Sequence, residues 1–399
     1  MSIKDKTIIL GITGGIAAYK AAELTRLLIK AGAKVHIIMT RGAAEFVTPL
    51  TFQTLSKNPV HTDLFSLCQE ADVGHISLAD RADLFVIAPA TANIIGKIAN
   101  GIANDLLTTS VMATKAPVLL APAMNCNMYE NPIVQENMEK LKKYGYCFID
   151  SETGELACGY EGKGRMAEPS DILEEMETIL SPKDLKGERI LVTAGPTCEA
   201  IDPVRFIGNR SSGKMGYALA KMALRRGAGV TLISGPSSLK PPRGVKFISV
   251  ESAEEMRKAV ITNLRDATTV VMAAAVADYT PVKVAFSKIK KSKEPLSLEL
   301  AKTLDILSEI GQKKSKRLLI GFAAETENLV ANAKKKLKEK NLDLIVANNL
   351  KEPGAGFGVD TNIVTIMDKN GSVEELPKMS KEDVAWIVLD RMAGLCSRI

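Results

Sequence analysis

Ile8-Ile9-Leu10-Gly11-Ile12-Thr13-Gly14-Gly15-Ile16-Ala17-Ala18 is an apolar run that enters a glycine-rich turn and leaves it as a helix. A strand feeding such a turn aims backbone N–H groups and the positive end of a helix dipole at an anion. The pattern returns in the second half of the chain. There Ile190-Leu191-Val192-Thr193-Ala194-Gly195-Pro196-Thr197 is followed by Ser211-Ser212-Gly213-Lys214-Met215-Gly216. Two such turns predict two nucleotide-type folds in one polypeptide, and the question becomes which nucleotides they serve.

Around the first turn, strand-like runs at Thr7–Gly11, Val35–Met39, Leu84–Ala88 and Val118–Ala121, with a weaker one at Tyr146–Ile149, alternate with helical patterns at Ile16–Lys30, Asn93–Ala99 and Pro132–Lys143. This alternation predicts an α/β, doubly wound (Rossmann-like) fold with a parallel sheet covered on both faces. Ser151–Ser170 breaks the pattern with Gly154, Gly159, Gly162 and Gly164, and reads as a mobile flap. After a helix at Asp171–Leu180, the segment Ser181-Pro182-Lys183-Asp184-Leu185-Lys186-Gly187-Glu188 is the expected boundary, with domains at 1–183 and 187–399. The second half repeats the alternation with strands at Ile190–Thr193, Val230–Ser234, Thr269–Ala273, Leu318–Phe322 and Leu344–Ala347. A hairpin from Ile363–Met367 to Ser372–Leu376 turns at Asn370-Gly371, and a helix at Lys381–Leu395 closes the chain.

The 399 residues, 46% hydrophobic and 25% charged, suit two or three soluble domains with sizeable cores. A net charge of +6 favours anionic ligands and is too small to argue for nucleic acid. The six cysteines (Cys68, Cys126, Cys147, Cys158, Cys198, Cys396) form no CxxC pair and have no histidine at ligand spacing. Neither a zinc site nor a disulfide framework is expected, and a reducing cytosol is the default. Met1 to Lys6 leads straight into a strand, so no signal peptide is expected, and no apolar stretch reaches membrane-spanning length. The expectation is a cytoplasmic protein.

Neither turn carries a dinucleotide fingerprint, which needs G-x-G-x-x-G and an acid about 20 residues on. The first turn is off pattern and its second strand ends in Met39-Thr40-Arg41; in the second half the corresponding strand ends in Ser234-Gly235-Pro236. A mononucleotide phosphate at Gly14, Gly15 and Ile16 is the better reading, with Thr40 placed for a ribityl or ribose hydroxyl. Arg41 against an NADP 2′-phosphate is the weaker alternative.

Other clusters carry chemistry. Pro89-Ala90-Thr91-Ala92-Asn93 follows a buried strand with small residues that let a flat ring approach the backbone; alternatively it is an ordinary loop with an Asn cap. Pro122-Ala123-Met124-Asn125-Cys126-Asn127-Met128-Tyr129 sets two amides among methionines after another strand, where an Asn can bind a carboxylate without adding charge; the alternative is a capped loop with Met filling core gaps. His75 sits near a predicted strand end, where a lone histidine is more often structural. Cys158 lies in the flap, where a thiol can deliver a proton to a closed site; an incidental cysteine is the alternative. In the second half, Lys288-Ile289-Lys290-Lys291 follows Ala273-Ala274-Ala275 and Asp278. It suits triphosphate charge, although most such runs are solvated surface. Lys336 and Lys340, four apart, share one helix face.

These residues resemble the bifunctional phosphopantothenoylcysteine decarboxylase / phosphopantothenate–cysteine ligases of coenzyme A biosynthesis, over essentially the whole chain. The signatures are His75, Pro89–Asn93, Pro122–Tyr129 and Cys158 in the first half. In the second they are Gly195-Pro196-Thr197, Asn209 to Gly216, Ala273–Asp278, Lys288–Lys291 and Gly321 to Thr326. Tyr129, Thr91, Ile94 and Arg210 depart from residues common in the family, which touches fine substrate contacts.

The resemblance implies a flavodoxin-like FMN-binding decarboxylase fold followed by a Rossmann-like ligase fold with a β-hairpin. FMN would lie on Gly14, Gly15, Ile16, Thr40, Pro89, Ala90, Thr91, Ala92 and Asn93. His75 is implied as base or orienting group, Asn125 as the grip on the substrate carboxylate, and Cys158 as the acid. CTP would be held by Ala273, Ala274, Asp278, Lys288, Thr303, Leu304, Asp305, Ile306, Phe322, Lys336 and Lys340. Mg2+ would bridge its phosphates, with Asp278 a candidate ligand. 4′-Phosphopantothenate would meet Asn209, Ser211, Ser212, Gly213 and Lys214, and L-cysteine would complete the amide. Asn209 is implied in turnover of an acyl-cytidylate and Lys288 in stabilising charge during activation. The family assembles as a homo-oligomer, a dodecamer, with no nucleic-acid or membrane partner. Three rivals fit the residues less well. A flavodoxin-like electron carrier needs neither Asn125 nor Cys158, an NADP-dependent flavin reductase lacks the fingerprint, and nucleic-acid binding lacks aromatics among the lysines.

Overall fold

The computed structural model describes residues 3–64, 74–155, 161–291, 296–325, 327–349, 356 and 358–396. The chain divides into two compact units, Met1–Ser181 and Pro182–Ile399.

In the first unit the elements are β1 (Thr7–Ile12), α1 (Ala18–Lys30), β2 (Lys34–Met39), α2 (Arg41–Ala44), α3 (Pro49–Ser56), β3 (Val60–His61), α4 (Gly74–Arg81), β4 (Leu84–Ala90), α5 (Ala92–Ala99), α6 (Leu106–Ala113), β5 (Val118–Pro122), α7 (Cys126–Glu130), α8 (Pro132–Lys143), β6 (Cys147–Phe148), β7 (Glu152–Glu155), β8 (Glu161–Arg165) and α9 (Pro169–Leu180). Six strands form one parallel sheet in the order β3-β2-β1-β4-β5-β6. Every residue of β4 is buried, as a central strand covered on both faces requires. Alternate residues of β1 serve opposite layers: Ile8, Leu10 and Ile12 pack with Leu24, Leu28 and Phe52, while Ile9 packs with Phe85, Leu107 and Leu120.

The expected strands of this unit appear with small changes at their ends. Helix α6 was absent from the expectation because Leu106 to Ala113 shows no amphipathic stripe. What starts it is a capping box, in which Asp105 Oδ1 accepts from Thr108 N at 2.8 Å and Asp105 N donates to Thr108 Oγ1 at 3.2 Å. The base of the expected flap is the antiparallel ribbon β7–β8, fitted to the loop after β5. Met124 N donates to Gly164 O at 3.0 Å, and a Cβ on Gly164 would stand 2.4 Å from Met124 O. The tip of the flap, with Cys158, lies outside the described residues.

The second unit contains β9 (Arg189–Ala194), β10 (Cys198–Ala200), β11 (Phe206–Gly208), α10 (Lys214–Arg225), β12 (Gly229–Ser234), β13 (Lys246–Ser249), α11 (Ala253–Asn263), β14 (Thr269–Met272), β15 (Tyr279–Pro281), β16 (Leu300–Lys302), α12 (Ile306–Gln312), β17 (Leu318–Glu325), α13 (Leu329–Glu339), β18 (Leu344–Asn349), β19 (Thr361–Asn362), β20 (Val364–Asp368), β21 (Val373–Glu375), β22 (Met379–Ser380) and α14 (Lys381–Cys396). Its eight-stranded sheet runs β13-β12-β9-β14-β17-β18-β20-β21. The first six strands are parallel, and the hairpin β20–β21 adds antiparallel to β18. Helices α10 and α14 cover one face, with Leu219, Val384 and Val388 fully buried beside Val192 and Val346. Met256, Val260 and Ile310 cover the other. No helix among the described residues is long and apolar enough to cross a membrane.

Candidate active sites

In the first unit a cavity of about 1190 Å³ opens at the carboxyl ends of β1, β2, β4 and β5. Chains leave β1 and β4 on either side of the point where strand order reverses, the usual ligand crevice of an open α/β sheet. Gly14, Gly15 and Ile16 line it. Within the described residues, no hydrogen bond engages the backbone N–H groups of Gly14 to Ala17, so this turn offers open donors at the start of α1. The turn is held from both sides. Buried Thr13 Oγ1 donates to Pro89 O at 2.7 Å and accepts from Thr91 N at 3.3 Å. A Cβ on Gly14 would stand 2.9 Å from the Gly42 carbonyl carbon, so only glycine lets these two turns touch.

Three polar side chains at strand ends are fixed by capping. Thr40 Oγ1 accepts from Ala43 N at 3.3 Å, Thr91 Oγ1 from Ile94 N at 3.5 Å and Asn125 Oδ1 from Asn127 N at 2.9 Å. All three line the cavity with Ala92 and Asn93. Charge is supplied by groups the sequence did not single out. Lys20, buried in α1, donates to Glu168 Oε1 at 2.7 Å and Met166 O at 3.4 Å. Lys97 pairs with Asp105 at 2.9 Å. Burial pushes the Asp105 carboxyl up, but the Thr108 N–H and Lys97 outweigh it and hold it below the ordinary range.

The second cavity, about 710 Å³, lies within the second unit at the ends of β14 and β17. Its wall at Ala273 to Ala277 is held from behind by the Gly195-Pro196-Thr197 turn. Ala275 N donates to Gly195 O at 2.9 Å, Thr197 N to Ala275 O at 3.2 Å, and Ala277 N to the buried Thr197 Oγ1 at 2.9 Å. Asn209 Nδ2 then donates to Ala275 O at 3.1 Å and Val276 O at 3.2 Å, which fixes its amide at the cavity. One end carries Thr303, whose Oγ1 donates to Ala277 O at 2.6 Å, with Leu304, Ile306, Phe322 and the pair Lys340–Asp305 at 2.9 Å. Burial acts to raise the Asp305 carboxyl, and Lys340 with the Ser308 N–H lowers it below its ordinary value. The other end carries Ser211, Ser212, Gly213 and Lys214 at the start of α10, where Gly213 (φ +81°) supplies no side-chain cap. Lys214 Nζ donates to Gly358 O at 2.7 Å and Asp360 Oδ1 at 2.6 Å. Beside it is Lys381, the first residue of α14, whose Nζ donates to Val359 O. Burial, and then Lys214, push the Lys381 ammonium below the ordinary lysine value against the opposing pull of Asp360.

Several expected residues are placed elsewhere. Pro89 and Ala90 are buried parts of β4 that back the first cavity without lining it. Asn93 is no helix cap, because α5 begins a residue earlier and Thr91 takes that role. Lys288 is exposed and does not line the second cavity; its neighbour Ile289 donates from N to Asp202 Oδ2 at 3.1 Å, which draws the strand of chain to another loop. Lys336 also does not line it, whereas Lys340 does from the C-terminal cap of α13. Asp278 lines it and is exposed. His75 stands in the first turn of α4, and its side chain, like Cys158, lies outside the described residues. No cluster of three His, Cys, Asp or Glu side chains suited to a metal occurs among the described residues.

An open α/β unit whose glycine turn and strand-end caps line one cavity is followed by a second such unit with its own, an α/β class with a ligand crevice in each half. Residues 1–181 match the Flavoprotein family, and residues 185–395 match the DNA/pantothenate metabolism flavoprotein C-terminal domain. The chain is 52% identical over 397 residues to the coenzyme A biosynthesis bifunctional protein CoaBC of Bacillus subtilis (strain 168), covering 98% of each. It is 48% identical over 391 residues to the protein of that name from Vibrio cholerae, covering 97% of this chain and 98% of that one. The Haemophilus influenzae protein of that name is 48% identical over 387 residues, with 96% of each covered. The chain belongs to the CoaBC family of bifunctional coenzyme A biosynthesis enzymes.

Proposed function

We infer that the first unit is an FMN-dependent phosphopantothenoylcysteine decarboxylase and the second a CTP-dependent phosphopantothenate–cysteine ligase, so that the ligase product is the decarboxylase substrate. The observation that carries the first assignment is the open turn Gly14–Ala17, which lines the same cavity as Asn125. Its free amides fit a monophosphate, and no acid follows β2 to hold a dinucleotide ribose. FMN bound there supplies the two-electron sink that a cysteine carboxylate lacks. Thr40, Thr91 and Asn93 line the space for its polar edges, Asn125 grips the substrate carboxylate, and Cys158 and His75 are assigned the proton and the orientation of the thiol-bearing carbon.

In the second unit, CTP would place its base and ribose near Phe322, Thr303 and the neutralised Lys340–Asp305 pair. The carboxylate of 4′-phosphopantothenate attacks the α-phosphate, pyrophosphate leaves, and the amine of L-cysteine then displaces CMP. Asn209, held at the cavity by two carbonyls, is assigned to turnover of the acyl-cytidylate. The resemblance assigns Lys288, which stands outside the cavity in this structure, to the charge that develops there, and that role requires its segment to move in. Mg2+ would arrive on the CTP phosphates. Asp278 is its proposed protein ligand, since Asp305 is engaged by Lys340. We also propose the homo-oligomer implied by resemblance; exposed Phe206, Val284 and Phe286 in the second unit are apolar enough to be covered by another copy.

The purified protein should show flavin absorbance, and it should release pyrophosphate from CTP only when 4′-phosphopantothenate is present. A colourless protein that stays colourless after FMN is added contradicts the first assignment. Equal turnover with all four nucleoside triphosphates contradicts the choice of CTP.

A further inference from the structure

At the end of the second cavity where Gly213 and Lys214 are already assigned, a second ammonium, that of Lys381, has no role yet. Lys381 is only 8% exposed, and the acceptor its ammonium meets is a backbone carbonyl, Val359 O. The carboxylate close enough to influence it, Asp360, is 88% exposed and salt-bridged to Lys214. A buried ammonium without its own carboxylate is costly unless an anion joins it. Lys214 and Lys381 each stand on the first residue of a helix, α10 and α14, and both side chains line the cavity. The uncapped N-terminus of the 12-residue α10 opens at the same place. Two ammoniums and a helix dipole therefore face one solvent-exposed carboxylate. At the opposite end Lys340 is neutralised by Asp305 and accompanied by Phe322, an environment for a base and ribose.

We propose that Lys381, with Lys214, forms a phosphate subsite of the ligase cavity that takes a terminal phosphate. That group is either the phosphate of the acid substrate or the outer phosphates of the nucleoside triphosphate. The inference rests on the ligase assignment, and its test separates the two.

In the full-length protein, Lys381→Gln should raise the KM of a phosphorylated ligand about tenfold or more, while the KM for cysteine stays within about twofold and the thermal melting curve is retained. A rise for 4′-phosphopantothenate, with lost preference over unphosphorylated pantothenate, assigns the substrate phosphate. A rise for CTP, with CMP binding unchanged, assigns the triphosphate tail. Lys381→Arg should recover part of the loss. Unchanged KM values for both phosphorylated ligands in an active variant overturn the proposal, as does a uniform rise in all three KM values with a lowered melting temperature. Should Lys381→Gln not fold, Lys214→Gln, whose side chain is 31% exposed, carries the same expectation and the same refutation. A wild-type protein that releases no pyrophosphate from any of the four nucleoside triphosphates, with 4′-phosphopantothenate and cysteine present, would instead refute the ligase assignment.

Discussion

Asn125→Asp should leave the protein folded and yellow and lower decarboxylation about a thousandfold. The substitution is isosteric, and Asp is as good a helix cap as Asn, so the bond from Asn127 N to Oδ1 survives. What changes is charge. A carboxylate placed about 4 Å from the substrate carboxylate repels it by about 4 kcal/mol at an effective dielectric of 20, or roughly three powers of ten in rate. Asn125→Ala would also lose the cap, about 1 kcal/mol, and would confuse positioning with stability. Pyrophosphate release by the second unit of the same chain gives the internal control, and the thiol product of decarboxylation gives the readout. Wild-type decarboxylation by Asn125→Asp would remove Asn125 from the carboxylate site.

The central strands were legible because burial on both faces forces continuous apolar runs, as in Leu84 to Ala90. The two glycine turns were legible for a related reason: Gly14 and Gly213 stand where a side chain would strike backbone or strain the turn, so the residue type reports the geometry. Short helices were not legible. α2 and α6 are held by a threonine cap and a capping box, signals one or two residues long, and α6 has no apolar stripe to announce it.

Within the sites, sequence spacing failed where the third dimension decides. Lys336 and Lys340 share a face only if the helix continues through both; α13 ends at Glu339, so Lys340 leaves from the cap and meets Asp305. Pro89 and Ala90 sit at a strand end like Thr91, yet nothing in their order says that the strand holds them inward until β4 is paired on both sides. Lys381 had a local signal, the cap formed when Ser380 Oγ accepts from Asp383 N at 3.1 Å. That signal marks a helix start. Only the packing of α14 beside α10 turns it into a cavity residue.

That packing rests on Arg226, and removing both of its carboxylates should destabilise the second unit by about 3–5 kcal/mol. Arg226 is 2% exposed at the end of α10 and bridges Asp184, at 2.5 Å, to Asp390 of α14, at 2.6 Å. Its guanidinium also lies over the Trp386 ring at 5.0 Å. Lys221 and Glu382, 2.9 Å apart, tie the same two helices nearer the cavity. The cost is asymmetric because the burial is asymmetric. Asp184→Asn with Asp390→Asn strands a cation that water cannot reach. Arg226→Met leaves two carboxylates already 42% exposed, which hydrate at little cost, and fills the space beside Trp386. Its expected loss is therefore smaller, about 1 kcal/mol. Trp386 is the only tryptophan, so its fluorescence during urea unfolding reports the second unit directly. The pH dependence has a fixed sign. The hydrogen bond from Arg226 holds the Asp184 carboxyl below its ordinary value. The stability it contributes is thus present above the ordinary carboxylate pKa and is lost as the pH falls through the lowered one. The difference between wild type and the double variant should be full near neutrality and shrink below about pH 4. A double variant no less stable than Arg226→Met, or a gap that widens in acid, would show that α10 and α14 are held by their apolar faces alone.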